Sequence, residues 1–282
     1  MKGADMDLSE LPQPYAQAYR TLRVRRLDGV AGREDPDCVA EESPVALEFN
    51  GISHAVMMAT PADLEDFAYG FALTEGIIDT AAQIHDCEWT ASALGYTLQV
   101  HIAAANFARL RDRRRTLAGR TGCGLCGTQS LAHAVRRPAP LPTTPSFPAR
   151  AVTRAVASLR AHQPLLAATG TSHAAAWCTA DGSIALLRED VGRHNALDKL
   201  VGALLREGRP AAEGFIAITS RASFEMVQKT AAIGVGLLAA VSGVTGLAVD
   251  VAQAAGLTLL GFTRGEDASI YSHPARLNRN DT

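Results

Sequence analysis

Between residues 44 and 58 apolar side chains alternate with polar ones on both sides of Asn50-Gly51. Pro44-Val-Ala-Leu-Glu-Phe precedes that pair and Ile52-Ser-His-Ala-Val-Met-Met follows it. A period of two around a turn dipeptide that accepts positive φ predicts a β-hairpin. Thr60-Pro61 then reads as an N-cap followed by a proline at the first helical position. Leu64, Phe67, Ala68, Phe71 and Ala72 repeat at helical spacing up to Gly76. A second strand pair is expected over Ile84 to Trp89 and Tyr96 to Ile102. Thr128 to Val135 reads as a short helix, and Arg136 to Pro148, with five prolines, as a linker.

From Ala149 the pattern changes to alternating helices and strands. A helix over Ala149 to His162 precedes a strand pair, Ala174 to Thr179 and Ser183 to Leu187, joined through Asp181-Gly182. Helices over Val191 to Arg206, Ala222 to Ile233 and Thr245 to Ala255 then alternate with strands over Gly214 to Thr219, Gly236 to Val241 and Leu257 to Phe262. Such a succession predicts a three-layer α/β domain around a mainly parallel sheet. The expected organisation is an N-terminal extension (1–40), a smaller α+β domain (41–135), the linker (136–148) and the α/β domain (149–282).

The 282-residue chain is 47% hydrophobic and 20% charged, enough for a large core. Its net charge of -2 gives no general drive toward nucleic acid or membranes. Met1 to Glu10 holds acids and no apolar run, and Ile233 to Ala240 is too short to span a bilayer, so a cytoplasmic location is expected. The five cysteines, an odd number spread over 140 positions, do not make a disulfide framework. The only lysines are Lys2, Lys199 and Lys229, a bias toward arginine that reflects base composition more than function.

Chemistry concentrates in Gly119-Arg-Thr-Gly-Cys-Gly-Leu-Cys-Gly127, where Cys123 and Cys126 stand three positions apart among glycines. A Cys-x-x-Cys pair can be half of a zinc site, a dithiol couple, or a thiol that carries sulfur or an acyl group. Arg109, Arg111, Arg113, Arg114, Arg115 and Arg120 stand just upstream. Most such runs are solvated helix faces, although positive charge also favours a thiolate. In an α/β sheet, ligands bind beyond the carboxyl ends of the strands, where helix N-termini offer free N–H groups to anions. Three predicted strand ends carry suitable residues: Arg188 to Asn195, Thr219 to Ser223, and Phe262 to Asp267. Arg193, Arg221 and Arg264 are candidates for phosphates, with His194 and Ser220 beside them. Each has an ordinary reading. Asp190, His194 and Asp198, four apart, could form an ion-pair ladder, and Ser220 or Ser223 could merely cap a helix.

Thr121-Gly-Cys-Gly-Leu-Cys-Gly, Arg188-Glu-Asp-Val-Gly-Arg-His-Asn-Ala-Leu-Asp-Lys, Thr219-Ser-Arg-Ala-Ser-Phe-Glu-Met-Val-Gln-Lys and Gly261-Phe-Thr-Arg-Gly resemble the formate dehydrogenase accessory sulfurtransferases, the FdhD family. The resemblance implies a persulfide carrier that takes sulfur from a cysteine desulfurase. It implies delivery to the molybdenum bis(molybdopterin guanine dinucleotide) cofactor, bound as substrate, before insertion into formate dehydrogenase. It also implies that Cys123 carries the persulfide, and that Phe262, Thr263, Arg264, Gly265, Glu266 and Asp267 form the cofactor-binding segment. Cys126 would assist transfer or release by thiol exchange, and Asp250 or Asp267 would read the guanine edge of that cofactor through its N–H donors.

The larger domain of that family resembles cytidine deaminases, which require His-x-Glu at one helix start and Pro-Cys-x-x-Cys at the next. Arg193-His194-Asn195 and Ser220 to Ser223 stand there instead, so deamination is rejected. Cys38, Cys87, Cys178 and His133 offer no second close pair to complete a structural zinc site, and no resident metal is expected. The alternative to a sulfurtransferase is a non-catalytic chaperone that holds the cofactor for its client. A plain dithiol oxidoreductase fits less well, because its motif usually follows the first strand of a βαβ unit. The hairpin and a sheet edge suggest a homodimer.

Overall fold

The computed structural model describes residues 15, 17–27, 32–118, 138–142 and 145–278. The predicted helix over Thr128 to Val135 and the whole cysteine loop, Gly119 to Gly127, lie outside these.

The hairpin forms as expected, from β3 (Ser43–Phe49) and β4 (Ile52–Ala59). Asn50 and Gly51 take φ of 47° and 77°, the left-handed pair that a tight hairpin turn requires. The Asn50 side chain also accepts from the Ile102 N–H (2.7 Å) and donates to the Ile102 carbonyl (3.1 Å), which pins the turn to β6 (Gly95–Ile102). With β5 (Ile84–Ser92) the order is β4-β3-β6-β5, parallel only between β3 and β6.

The larger sheet contains β8 (His173–Cys178), β9 (Ile184–Asp190), β10 (Phe215–Ile218), β11 (Leu237–Ala240), β12 (Thr258–Arg264) and β13 (Asp267–Ser272), in the order β13-β12-β11-β10-β8-β9. Only β10, β11 and β12 are mutually parallel, and an antiparallel hairpin flanks them on each side. The expected mainly parallel sheet is therefore mixed. β10 (Phe-Ile-Ala-Ile) and β11 (Leu-Leu-Ala-Ala) are apolar throughout because both faces are buried. Ala176, Cys178, Phe215, Ala217, Leu237 and Ala239 pack against Val152, Ala155 and Val156 of α3 (Ala149–Ser158). On the opposite face, Trp177, Ile216, Ile218 and Leu238 meet α5 (Arg193–Arg206), α6 (Phe224–Ala232) and α7 (Gly246–Ala255). That gives three layers.

A single hydrophobic cluster continues from this face through α1 (Leu64–Thr74) into Val45, Leu47, Leu98 and Val100 of the smaller sheet. Gly70 of α1 and Gly202 of α5 make this possible. A Cβ on Gly70 would stand 1.7 Å from the Asp198 carbonyl oxygen, and one on Gly202 would stand 1.7 Å from that of Asp66. The helices touch backbone to backbone.

Helix α1 starts at Leu64, not at Pro61, and its N-cap position is Asp63, with φ 52° and no side-chain capping bond. Thr60 is not a cap because it is used elsewhere. Its N–H donates to Asp190 Oδ2 (3.0 Å), its Oγ1 accepts from the Val191 N–H (3.1 Å), and its carbonyl accepts from Lys199 Nζ (2.8 Å). Six elements lack a sequence counterpart: the ribbon of β1 (Tyr19–Leu27) and β2 (Gly32–Ala40), helix α4 (Pro164–Thr169), β13, and the short parallel pair of β7 (Phe147–Pro148), inside the expected linker, with β14 (Leu277–Asn278). Arg109, Arg111, Arg113, Arg114 and Arg115 lie on α2 (Ala104–Ala118), and Arg120 lies outside the described residues. Arg109 pairs with exposed Asp79 at 2.7 Å, and Arg111 lies 6.0 Å over the Phe107 ring, as on a solvated face.

Gly202→Ala is expected to cost about 3 kcal/mol or more, since the clash is with backbone that cannot step aside. Urea denaturation would measure it, and a loss below about 0.5 kcal/mol, the range of a neutral surface change, would contradict the contact.

Candidate functional site

Because β8 runs against β10 and β9 against β8, the start of β8, the end of β9 and the ends of β10, β11 and β12 share one edge of the sheet. A buried lock shapes the first part of this edge. Asp190 and Lys199, both with side chains 0% exposed, are 2.6 Å apart. Asp190 Oδ1 accepts from the Gly192 N–H (2.7 Å) and from Asn195 Nδ2 (3.0 Å), and Asn195 also donates to the Met58 carbonyl (2.8 Å). The turn from β9 into α5 is thereby fixed, and Arg193 and His194 become the first residues of the helix.

Arg193 is half-buried, and its Nε is buried without a hydrogen-bond partner. His194 Nε2 lies 2.8 Å from Glu225 Oε2, without the geometry of a hydrogen bond, a contact that becomes an ion pair only when the ring is protonated. Burial lowers the His194 pKa, Glu225 opposes that shift, and Arg193 and Lys229 add to it. The Asp190-His194-Asp198 ladder does not form, because Asp190 pairs with Lys199 and Asp198 with Lys229 at 2.9 Å.

At the second strand end, Ser220 is buried and its Oγ donates to the Arg221 carbonyl (3.0 Å), while Arg221 is exposed. Ser223 occupies the N-cap of α6 yet makes no capping bond, and its Oγ is buried and unpartnered. Thr245, by contrast, caps α7 by accepting from the Ala248 N–H at 3.3 Å.

The third strand end is held against the other two. A parallel bridge joins Ala222 to Val244, and the Phe262 N–H donates to the Ser242 carbonyl at 3.0 Å. Phe262 has φ 52° and is half-exposed. Its ring lies so close to Gly243 that a Cβ there would be 2.9 Å from it. A bulky residue in the left-handed region stores strain, which persists only where its surroundings fix it. Thr263 is 1% exposed, and its Oγ1 has no partner. Arg264, Gly265, Glu266 and Asp267 form the exposed turn from β12 into β13.

Arg193, His194, Ser220, Arg221, Phe262 and Thr263 thus stand at one edge, with Arg264 to Asp267 on the hairpin that leaves it. Asp250 lies inside α7, exposed and away from the helix start. Cys123 and Cys126 lie outside the described residues. Sequence reasoning missed His173 and Glu225. His173 faces Asp190 in the β8–β9 register, and burial first, then Arg193, lowers its pKa against the pull of Asp190. Among the described residues no cluster of three or more His, Cys, Asp or Glu could hold a metal ion, and no helix is long and apolar enough to cross a membrane. Arg193 Nε, Ser223 Oγ and Thr263 Oγ1 are all able to donate, and buried donors left unpaired in the protein are suited to an anionic ligand.

Fold and edge define a mixed α/β protein whose strand ends gather basic and hydroxyl groups around a fixed turn. The chain belongs to the FdhD/NarQ family, whose sequence profile matches residues 40–278. It is 57% identical over 273 residues, covering 97% of this chain and 98% of the relative, to a protein of Variovorax paradoxus named sulfur carrier protein FdhD. A protein of Cupriavidus necator with the same name is 57% identical over 242 residues, covering 86% of this chain and 84% of its own. The fold is that of a crystal structure from Desulfotalea psychrophila assigned as a formate dehydrogenase accessory protein. It superposes with a TM-score of 0.74 at 23% identity, over 93% of this chain and 100% of the other.

Two outcomes are expected. Ser223→Ala should cost less than about 0.5 kcal/mol in urea denaturation and Thr245→Ala about 1 kcal/mol, because only Thr245 caps its helix. Equal losses would show that Ser223 does cap. His173 and His194 both have lowered pKa values, so the unfolded chain takes up their protons first as pH falls below ~6.5. Stability is therefore fully present above that pH and decreases below it. A His173→Asn, His194→Asn double variant should lose less melting temperature between pH 7 and 5.5 than the wild type, and an identical loss would rule the two rings out.

Proposed function

We infer that the chain is a sulfurtransferase: it accepts sulfur from a cysteine desulfurase on Cys123 and passes it to the molybdenum bis(molybdopterin guanine dinucleotide) cofactor that formate dehydrogenase requires. The observation that carries this reading is the set of unpartnered buried donors on Arg193, Ser223 and Thr263 at one sheet edge, in a chain 57% identical to proteins named sulfur carriers. The cofactor is the substrate here. Its guanine dinucleotide ends carry the pyrophosphates for which those donors, with Arg221 and Arg264, are the candidate partners, and Asp267 is the candidate for the guanine edge.

The first step breaks the S–S bond of the desulfurase persulfide. Cys123 thiolate attacks the outer sulfur, the desulfurase thiolate leaves, and Cys123-S-SH forms. Cys126 thiolate then attacks the inner sulfur of that persulfide, which gives a Cys123–Cys126 disulfide and hydrosulfide for the metal. An external dithiol reduces the disulfide for the next round. A cytidine-deaminase-like layering of the larger unit, a cytoplasmic location and a homodimer belong to the same reading. A resting place for the nucleotide at the carboxyl edge suits such a carrier, since ligands of α/β sheets lie there.

Incubation with a cysteine desulfurase and cysteine should add the mass of one sulfur atom, read by intact-mass spectrometry. The gain should vanish in Cys123→Ala, while guanosine diphosphate still binds that variant. Nucleotide binding with no added sulfur in the wild type would favour a non-catalytic cofactor chaperone.

A further inference from the structure

At the opposite end of α5 from Arg193, some 20 Å along a helix of this length, the carboxyl half of the helix borders a separate cavity. Its volume is about 360 Å³, and Asp63, Glu65, Asp66, Trp89, Tyr96 and Arg206 contribute to its lining. Two of the three carboxylates are neutralised. Asp66 accepts from Arg188 Nε (2.8 Å) and from Arg206 (2.5 Å), and Glu65 pairs with Arg206. Two guanidinium groups thus serve three carboxylates. Asp63 shares Arg188, which lies 3.5 Å from its Oδ1; its side chain is 10% exposed, and its Oδ2 is buried without a hydrogen-bond partner.

Asp63 is also the residue held at φ 52° in the N-cap position of α1 without capping the helix. In that left-handed conformation the side chain does not cap the helix, so the carboxylate is not engaged by the α1 N-terminus. Burial raises the Asp63 pKa, against the pull of Arg188 and Lys199, and a cation arriving in the cavity would reverse that rise. The other wall is aromatic. The rings of Trp89 and Tyr96 are 5.8 Å apart and tilted by 58°, the Tyr96 hydroxyl donates to Gln17 Oε1 (3.0 Å), and Trp89 is 44% exposed at the rim. A surplus carboxylate and two electron-rich rings lining one cavity are the chemistry that recognises an organic cation.

We propose that this cavity binds an arginine or lysine side chain presented by a partner protein, with Asp63 as its counter-ion and Trp89 and Tyr96 as its walls. The volume admits a long basic side chain together with the backbone that bears it. The site does not involve the carboxyl edge of the large sheet, and it stands independently of the sulfur-carrier reading.

Isothermal titration of the full chain with acetyl-Gly-Arg-Gly-amide, and with the same peptide carrying neutral citrulline, tests the assignment. The arginine peptide should bind about tenfold or more tightly than the citrulline one, a preference that Asp63→Asn removes. Trp89→Leu, a change at an exposed ring that leaves the fold in place, should weaken the arginine peptide several-fold. Equal affinity for the two peptides, or unchanged affinity in Trp89→Leu, would overturn the proposal. Tighter binding of free agmatine than of the arginine peptide would overturn the side-chain assignment in favour of a small amine.

Discussion

The structure depends on helix α5 being charged on the inside. Its Lys199 reaches back to Asp190 and to the Thr60 carbonyl, and its Asp198 receives Lys229 from α6 at 2.9 Å and the Thr74 hydroxyl from α1 at 2.7 Å. These groups are buried, so removing one partner strands a charge where water cannot reach it, at a typical cost of about 3–5 kcal/mol. Such pairs add little stability over apolar packing and much specificity of arrangement. They allow the two sheets to meet across α1 and α5 in one register, which the backbone contact of Gly70 with Gly202 makes exact to a fraction of an ångström.

That register is what delivers the candidate site. Asp190 is both the partner of Lys199 and the acceptor that folds the Val191-Gly192 turn, so the placing of Arg193 and His194 follows from the same charge that closes the core. Three strand ends then converge through backbone contacts at Ala222, Val244, Ser242 and Phe262. The hydroxyls left over, on Ser223 and Thr263, are those that neither cap a helix nor meet a neighbour.

Much of the fold could be read from periodicity. The Asn50-Gly51 hairpin, the run of helices and strands after Ala149, and the three strand ends are local patterns, and local patterns survive in the sequence. The failures have physical causes. Thr60-Pro61 looked like a helix start because capping chemistry is local, whereas the partners of Thr60 are Asp190, Val191 and Lys199. The sheet looked parallel because strand direction depends on where each connection crosses, which the β8–β9 and β12–β13 hairpins decide. β13 was hidden by its exposed, mixed composition, and the ribbon of β1 and β2 by its many charges. At the site, Arg193, Ser220 and Arg221 stand where motif reading puts them. Nothing in the letters distinguishes an idle N-cap serine from a working one, so Ser223, like His173 and Glu225, needed coordinates.

The ties between α1 and its partners span long stretches of chain: 130 residues from Thr60 to Asp190, 140 from Asp66 to Arg206, and 155 from Thr74 to Lys229. A ribosome adding ~5–20 residues per second needs roughly 10–30 s to cover the longest of these. Throughout that interval the face of α1 that meets α5 and α6 has no partner, although the smaller sheet, which covers its other side, is already made. The first half of the protein is thus born as a client for whatever shields nascent apolar surface. Its cysteine pair is synthesised in the same interval, ahead of the strands that form the candidate edge.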